Sequence, residues 1–511
     1  MASETGFRKT LTLTGVTVNA MALIAPGAFL WITYQIQAAQ VDPAGASTAM
    51  DIWAGLALAL ILAFLTAISY AALSELYPSA GTGSSYYFAE KAFLDKEEAG
   101  YHRWARLAKY VVGWISHLYY WVYPGVMVAM MATMLVYIGG LFGLTLSPVA
   151  QVAIAVVFSF LTGYVAYRGI NGSTMASLLI NALQIAALVV ISILALSYRF
   201  ANPQHVTFLH PALASVVLPH NLSHVLFQST IAILLLVGFE SATALSAEAL
   251  HPSFIRRGVI LSLIIQGLIA YLFEYFATGA WINTAYTIQD DKGKLLTGFD
   301  AAGASAAPIG DMVRNLGDTM LGGIGFPLLL VIAVTVAIAV FGTTLACMNT
   351  GVRLTYAMGK DEEVPAVLGL LHGRYATPHF GVWLMSLVSA VIGGFGVLSV
   401  VNLTAVTFLS NIGTFLLYGL TNVVAFVAFF RTPRASFVKH VAVPILGSLA
   451  NVLMLLAVIY LGVLGGGDTR VAALMSIVAT VVWFAVGGVY FVASTKTRGR
   501  QVWAQRPAGG G

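Results

Sequence analysis

Two segments of the sequence place helix-breaking residues in the middle of long apolar runs. The first is Ile24-Ala25-Pro26-Gly27-Ala28-Phe29, and the second is Gly238-Phe239-Glu240-Ser241. Proline removes a helical hydrogen bond and glycine relaxes the backbone, so each segment predicts a break or a strong kink. Glu240 is in addition an ionisable residue deep in an apolar run, which by itself indicates a functional site.

A broken membrane helix exposes backbone groups that can bind charge. Free carbonyl groups are expected near Leu23 to Ala25 and near Leu236 to Gly238, and they suit an ammonium group or a cation. Free amide groups are expected near Gly27 to Phe29 and near Ser241 to Thr243, and they suit a carboxylate. The two segments therefore predict a site for a zwitterion, with a simple proline kink as the alternative interpretation of the first.

The composition requires that these segments lie in a membrane. The chain has 511 residues, of which 59% are hydrophobic and 9% are charged, with a mean hydropathy of +0.87. Soluble proteins carry about 25% charged residues. The apolar runs are continuous over about 20 residues, which fits helices and not the alternating strands of a barrel. The predicted fold class is an all-α polytopic membrane protein.

Twelve apolar runs are candidates for membrane-spanning helices. They lie at 14–37, 52–75, 108–139, 147–167, 173–197, 225–250, 258–283, 326–357, 380–397, 400–430, 440–463 and 470–494. With the N-terminus inside, 20 of the 25 Lys and Arg residues fall in cytoplasmic segments, a strong positive-inside bias. The sequence therefore predicts a plasma membrane protein, in bacteria the inner membrane, with both termini in the cytoplasm. The scattered basic residues argue against nucleic acid as a partner.

The two breaks fall in the first and sixth runs, and five crossings separate them. Interrupted helices at equivalent positions of two halves are typical of transporters built from inverted repeats. Residues 1–198 are accordingly predicted to form the first repeat, with helices 1–5, and residues 199–430 the second, with helices 6–10. Residues 431–511 are left for helices 11 and 12 and a cytoplasmic tail.

Three further motifs carry a family resemblance. They are GFESATALSAEALHPSFIRRGVILS at 238–262, SYAALSELYPSAGTGSSYYFAEKAF at 69–93 and RLTYAMGKDEEVPAVLGLLHGRYATP at 353–378. In their order along the chain and in their spacing, these motifs resemble those of the amino acid, polyamine and organocation permease superfamily. The resemblance implies the five-plus-five inverted repeat of the leucine-transporter-like fold, with discontinuous helices 1 and 6.

The resemblance also implies where a substrate would bind. Backbone groups of Ala25 to Ala28 and of Leu236 to Ser241 would hold it, and Phe239 would be an aromatic gate. The family usually has Gly-small-Gly in the first span, where this chain has Ala25-Pro26-Gly27. Pro26 cannot donate a hydrogen bond, so either the carboxylate depends on Gly27, Ala28 and Phe29 or its recognition differs from that of the family.

The coupling ion stays open at the level of sequence. Proton-coupled relatives resemble one another in a lysine of the fifth span, and the matching position here is Gln184, a neutral amide. Sodium-coupled relatives use two hydroxyls of the eighth span, where Thr343 and Thr344 fall; structural threonines are the alternative. Glu240 is a third candidate, as a proton carrier.

Other polar residues have a functional and a structural interpretation. His117 and Tyr120 lie in an aromatic stretch of the third span, which either lines the pocket or forms a packed surface. Glu274 in the seventh span is expected to serve gating or to form a buried pair. The long loops 198–224 and 284–325 are either solvated or form an outer lid.

The favoured function is secondary active transport of amino acids by alternating access. A polyamine or organic cation transporter, an exchanger of the same fold and a transporter-like nutrient sensor are the alternatives. No nucleotide-binding loop, metal-ligand cluster or nucleophile with its base is present in the sequence, so an enzyme is not expected and no cofactor is predicted. The expected partners are the lipid bilayer and the substrate, and the sequence does not decide between monomer and homodimer.

Overall fold

The computed structural model describes residues 9–24, 30–78, 83–96, 104–169, 174–202, 205–246, 248–290, 293–433 and 435–498. Its helices in chain order are α1 (Leu13–Ile24), α2 (Leu30–Ala38), α3 (Ile52–Leu76), α4 (Ser85–Leu94), α5 (Ala105–Leu141), α6 (Pro148–Tyr167), α7 (Thr174–Ala201), α8 (Leu213–Val217), α9 (Leu222–Ala232), α10 (Pro252–Ser262), α11 (Leu272–Trp281), α12 (Phe299–Ala304), α13 (Pro308–Met320), α14 (Gly325–Lys360), α15 (His379–Gly396), α16 (Val400–Phe429), α17 (Val443–Leu464) and α18 (Gly467–Thr497). Two short strands, β1 (Thr287–Gln289) and β2 (Leu295–Thr297), form an antiparallel hairpin.

Within the described residues, eleven helices are long and apolar enough to cross a membrane. They lie within a few residues of eleven of the twelve predicted runs, which confirms a polytopic helical membrane protein. Helices dominate because lipid offers no hydrogen-bond partner, so each backbone polar group must be satisfied within its own segment. Exposed apolar side chains cover the outside of the bundle, for example Val489 of α18, which is 71% exposed.

The structure describes two helical parts of the first predicted run. They are α1, which ends at Ile24, and α2, which begins at Leu30. The predicted break residues Ala25, Pro26, Gly27, Ala28 and Phe29 lie outside the described residues.

Three other runs depart from regular α-helix. The sixth comprises α9, a 3₁₀ turn at Ile233–Leu235 and a 3₁₀ segment at Phe239–Leu245. A π-helical segment at Leu263–Tyr271 joins α10 to α11, and another at Phe437–Ala442 precedes α17. π-Helical turns are wider than α-helical turns and occur frequently at functional sites.

Helix α5 is the central element of the packing. It spans 37 residues and contacts α4, α14, α15 and α16. The contact with α16 is close because a glycine faces it: a Cβ atom at Gly413 would lie 3.0 Å from the backbone nitrogen of Tyr119. Small residues at such contacts let membrane helices approach each other.

The two long loops fold against each other at one end of the bundle. Arg199 of α7 donates hydrogen bonds to the carbonyls of Ala280, at 2.8 Å, and His210, at 2.7 Å. Burial lowers the pKa of His210 to about 4, so its ring is neutral at pH 7 and packs edge-on against Phe299. The loops are therefore a packed cap; their role as a lid stays a prediction.

Asp311 of α13 connects this cap to the long helix α5. Its carboxylate accepts hydrogen bonds from the hydroxyls of Tyr137, at 2.7 Å, Tyr286, at 2.8 Å, and Ser305. The side chain of Asp311 thus joins α13 to three other elements: α5, the segment before the hairpin and the segment after α12.

We expect Asp311→Asn to lower the free energy of unfolding by about 1–3 kcal/mol, because an amide nitrogen would face a hydroxyl that now donates to an oxygen. Thermal unfolding of the purified protein in detergent measures the change. Asp300→Asn is the matched control, since Asp300 is an exposed aspartate of the same cap. Equal unfolding temperatures for the two variants would contradict a structural role for the Asp311 hydrogen bonds.

Candidate functional site

In the sixth run regular α-helical structure ends at Ala232, six residues before Gly238. Gly238 lies between the 3₁₀ turn that ends at Leu235 and the 3₁₀ segment that begins at Phe239, and its φ is +120°. L-residues with a side chain rarely adopt this angle, whereas glycine does so readily. Gly238 therefore turns the chain between the two segments, where the sequence predicts a break.

Gly238 packs directly on the end of α1. A Cβ atom at Gly238 would lie 2.6 Å from Cδ2 of Leu23 and 2.9 Å from the backbone nitrogen of Ile24. Only a residue without a side chain allows this approach of the two backbones. The described end of α1 and Gly238 of the sixth run are thus in contact.

The last carbonyl groups of α1 receive hydrogen bonds from side chains of other helices. The four carbonyls are those of Met21, Ala22, Leu23 and Ile24, the last described residues of α1. The donors are Gln266 to Met21 O at 3.0 Å, Thr343 to Ala22 O at 2.8 Å, Tyr123 to Leu23 O at 3.5 Å and Tyr271 to Ile24 O at 3.1 Å. Carbonyls held in this way form a polar patch inside an apolar bundle.

Glu240 is fully buried, and hydroxyl groups surround its carboxylate. Oε1 accepts hydrogen bonds from Tyr119, at 3.1 Å, and Tyr120, at 3.2 Å. Oε2 accepts from the hydroxyl of Tyr418, at 2.7 Å, and from the backbone nitrogen of Gly238, at 3.0 Å. Four donors satisfy this carboxylate, which explains how an acidic side chain is accommodated at this depth.

Phe239 and Ser241 flank Glu240 in the same segment. The Phe239 ring is fully buried and lies 5.3 Å from the ring of Tyr418 and 6.0 Å from that of Tyr70. The hydroxyl of Ser241 is buried and has no hydrogen-bond partner among the described residues. An unsatisfied buried hydroxyl is a group that a polar ligand can bind.

A cavity of about 350 Å³ begins beside these groups. Leu23 of α1, Ser241, Asn181 of α7 and Phe341 of α14 contribute to its wall. At its other end lies the ion pair of Arg353 with Glu248, whose charged atoms are 3.3 Å apart. We call it the α1–α14 cavity; it runs from the break towards the end of the bundle that is opposite the cap.

Several predicted residues belong to this region. Leu236 is fully buried directly before the break. Tyr120 contacts Glu240, and Thr343 contacts the end of α1. Ile24 is the last residue of α1.

Other predicted residues have different surroundings. His117 hydrogen-bonds Thr355 at 3.0 Å and packs against Trp121 on another face of α5. Thr344 donates to Val340 O of its own helix, at 2.7 Å. Gln184 is buried in α7, where its Nε2 has no hydrogen-bond partner among the described residues.

Three hydrogen-bond donors of the site lie outside both the predicted set and the aromatic stretch of the third span: Gln266, Tyr271 and Tyr418. Gln266 and Tyr271 belong to the seventh run and Tyr418 to the tenth. Their signal in the sequence is that each is a polar residue in a long apolar run, where a buried carboxylate and broken helices need donors.

Glu274 of α11 forms a second buried acidic site. It accepts hydrogen bonds from Ser192 of α7 and from Thr278, the latter at 3.4 Å. The contact with Ser192 joins α7 to α11. The carboxylate is buried, and Ser192 and Thr278 are both hydroxyl donors; the gating role stays a prediction.

The chain resembles known transporters in sequence. The family described as amino acid permease matches residues 9–486. A branched-chain amino acid permease of Lactococcus lactis is 26% identical over 358 residues, which cover 66% of this chain and 67% of that protein. The methylthioribose transporter of Bacillus subtilis is 24% identical over 437 residues, 84% of this chain and 82% of that protein. A branched-chain amino acid permease of Bacillus subtilis is 23% identical over 338 residues, which cover 65% of this chain and 62% of that protein.

We expect Gly238→Ala to lower the free energy of unfolding by about 1–3 kcal/mol or more, because the added methyl group would clash with α1 and the backbone at residue 238 would be strained. Gly488→Ala is the control: Gly488 lies in α18, and a Cβ atom there meets nothing within 4 Å. Thermal unfolding of both variants measures the difference. If Gly238→Ala were as stable as wild type, the close contact with α1 would be wrong.

Proposed function

The chain belongs to the amino acid permease family, and from that premise we propose that it moves an amino acid across the plasma membrane by alternating access. The observation that carries the proposal is the contact between Gly238 and the end of α1. It brings backbone groups at the end of α1 and at the break of the sixth run to one point inside the bundle. Transporters of this architecture bind their substrate at such a point, near the middle of the membrane.

The proposed architecture has twelve spans, with α1 and α2 together as the first and both termini in the cytoplasm. Residues 1–198 and 199–430 are the two inverted repeats, and 431–511 hold the last two spans. The packing supports this division, because equivalent spans contact each other. Helix α1 contacts the 239–245 segment, α3 contacts α10, α5 contacts α14, and α6 contacts α15. Such pairing is expected about a pseudo-twofold axis that relates the repeats.

In the proposed site, carbonyl groups at the end of α1 bind the substrate's ammonium group. Tyr123 and Tyr271 donate to the carbonyls of Leu23 and Ile24, and an ammonium group would replace these donors. The carboxylate is assigned to backbone amides at Gly27 to Phe29 and to the segment that contains Ser241. Because Pro26 has no amide hydrogen, residues 27–29 supply the donors on the first span.

A neutral amino acid with an apolar side chain is the substrate class that the surroundings favour. Four donors already satisfy the carboxylate of Glu240, so it offers little to a second ammonium group of a diamine. The α1–α14 cavity has mainly apolar walls, and the charges at its end are paired with each other. Two of the relatives are named branched-chain amino acid permeases, which agrees with this class.

The coupling ion has one candidate site that joins two helices. Thr343 Oγ1 lies 2.8 Å from Ala22 O, so a hydroxyl of α14 and a carbonyl of α1 are adjacent. Oxygen ligands of this kind suit sodium. Glu240 is the competing candidate, as a proton carrier in the same region.

Uptake into proteoliposomes tests the function. We expect radiolabelled leucine to accumulate, with lysine, putrescine and methylthioribose transported poorly. The comparison uses an inward sodium gradient, an inward proton gradient and internal unlabelled leucine, so that the same experiment identifies symport or exchange. Thr343→Val should abolish stimulation by sodium. If only an amine or methylthioribose were taken up, the proposed substrate class would be wrong.

Phe239→Ala should reduce leucine uptake by about tenfold, equivalent to about 1.4 kcal/mol of substrate binding. The aromatic ring lies beside the break, so its loss opens the site as well as the core. Phe408→Ala is the control, because Phe408 is equally buried but packs on Phe227 of α9. Both variants lose about 3–5 kcal/mol of stability, so uptake is compared per folded protein. Equal uptake would exclude a gating role for Phe239.

A further inference from the structure

A second cavity lies at the end of the bundle opposite the cap. Its volume is about 800 Å³, and its walls come from the end of α3, from α10, from the end of α16 and from the π-helical segment Phe437–Ala442. The apolar part of the wall includes Ile68, Ala72, Leu261 and Phe429. We call this cavity the basic groove because of the side chains at its mouth.

Three permanent cations line the groove, against one carboxylate. The cations are Arg256, Arg257 and Lys439, and the carboxylate is Glu75. Arg256 pairs with Glu75 at 3.1 Å, and both side chains are about half exposed. Arg257 and Lys439 are exposed and form no ion pair with any residue the structure describes. The groove therefore has an excess of two positive charges, which an anion can neutralise.

The apolar wall continues from the groove into the membrane. Helix α3 ends at Leu76, and Ile68 lies eight residues earlier, about 12 Å along the axis. Two turns further, Ile61 is 60% exposed, and on the adjoining π-helical segment Leu268 is 50% exposed. A ligand of this surface thus meets cations at one end and hydrocarbon-facing side chains at the other.

We infer that the basic groove binds one anionic glycerophospholipid. Its phosphate lies between Arg257 and Lys439, with Arg256 close by, and one acyl chain follows the wall past Ile68 towards Ile61. Basic pockets between membrane helices recognise lipid headgroups in this way. A free phosphate would use the cations but leave the apolar wall uncovered, so the geometry favours the lipid.

The test compares lipid retention by wild type and by the double variant Arg257→Gln/Lys439→Gln. Each protein is equilibrated in mixed micelles with phosphatidylglycerol and phosphatidylcholine, and native mass spectrometry counts the bound lipids. Wild type should retain one phosphatidylglycerol in preference to phosphatidylcholine. Affinity of the variant for phosphatidylglycerol should fall about thirtyfold, since each Lys or Arg near the surface contributes about fivefold.

Two further variants separate the groove from a general effect of charge. Lys360→Gln/Arg374→Gln removes two exposed cations at the same end of the bundle but outside the groove, and retention should be unchanged. Ala72→Trp keeps every cation and fills the apolar wall, and retention should fall.

Three outcomes would overturn the inference. The first is equal retention of phosphatidylglycerol and phosphatidylcholine by wild type, which would make the groove an ordinary lipid contact. The second is an equal loss in the control double variant, which would assign the effect to net charge. The third is displacement of the lipid by an equimolar concentration of glycerol 3-phosphate, which would make the groove a site for a soluble phosphate.

Discussion

The rule that buried backbone groups need partners determines how the centre of this protein is built. The last described carbonyls of α1, those of Met21 to Ile24, lie inside the bundle, where each buried backbone acceptor needs a hydrogen-bond donor. Side chains of α5, of the π-helical segment Leu263–Tyr271 and of α14 donate hydrogen bonds to these carbonyls. These helices must therefore stand close to the end of α1, and their packing follows from this requirement.

The carboxylate of Glu240 imposes the same requirement through charge. Its donors come from α5 and α16, two helices that pack on each other through Gly413. The segment that carries Glu240 has only 3₁₀ structure and is less regular than its neighbours. Hydrogen bonds thus attach an irregular segment to two regular helices. A buried polar network in which each member has a partner rigidifies the groups that it joins.

The helices were predictable from sequence because hydropathy marks each run, and the bounds of α3 or α16 differ from the prediction by one residue or less. The hydrogen-bond partners of the residues near the breaks were not predictable. Tyr418 is 178 residues away from Glu240, and nothing local records that contact. His117 had a pocket interpretation and a packing interpretation, and its contact with Thr355 was equally invisible in the sequence. A helix that is apolar on all sides does not reveal by its periodicity which face meets which neighbour.

The basic groove and the central site share one helix. Helix α10 begins soon after the 239–245 segment and supplies Arg256 and Arg257 to the groove. The same helix packs on α1, so it contacts both interrupted spans. A lipid in the groove would therefore touch an element that must move when the 239–245 segment moves. Binding that differs between two conformations shifts their populations, so under the proposed alternating access the lipids at this end of the bundle would bias the direction that the central site faces.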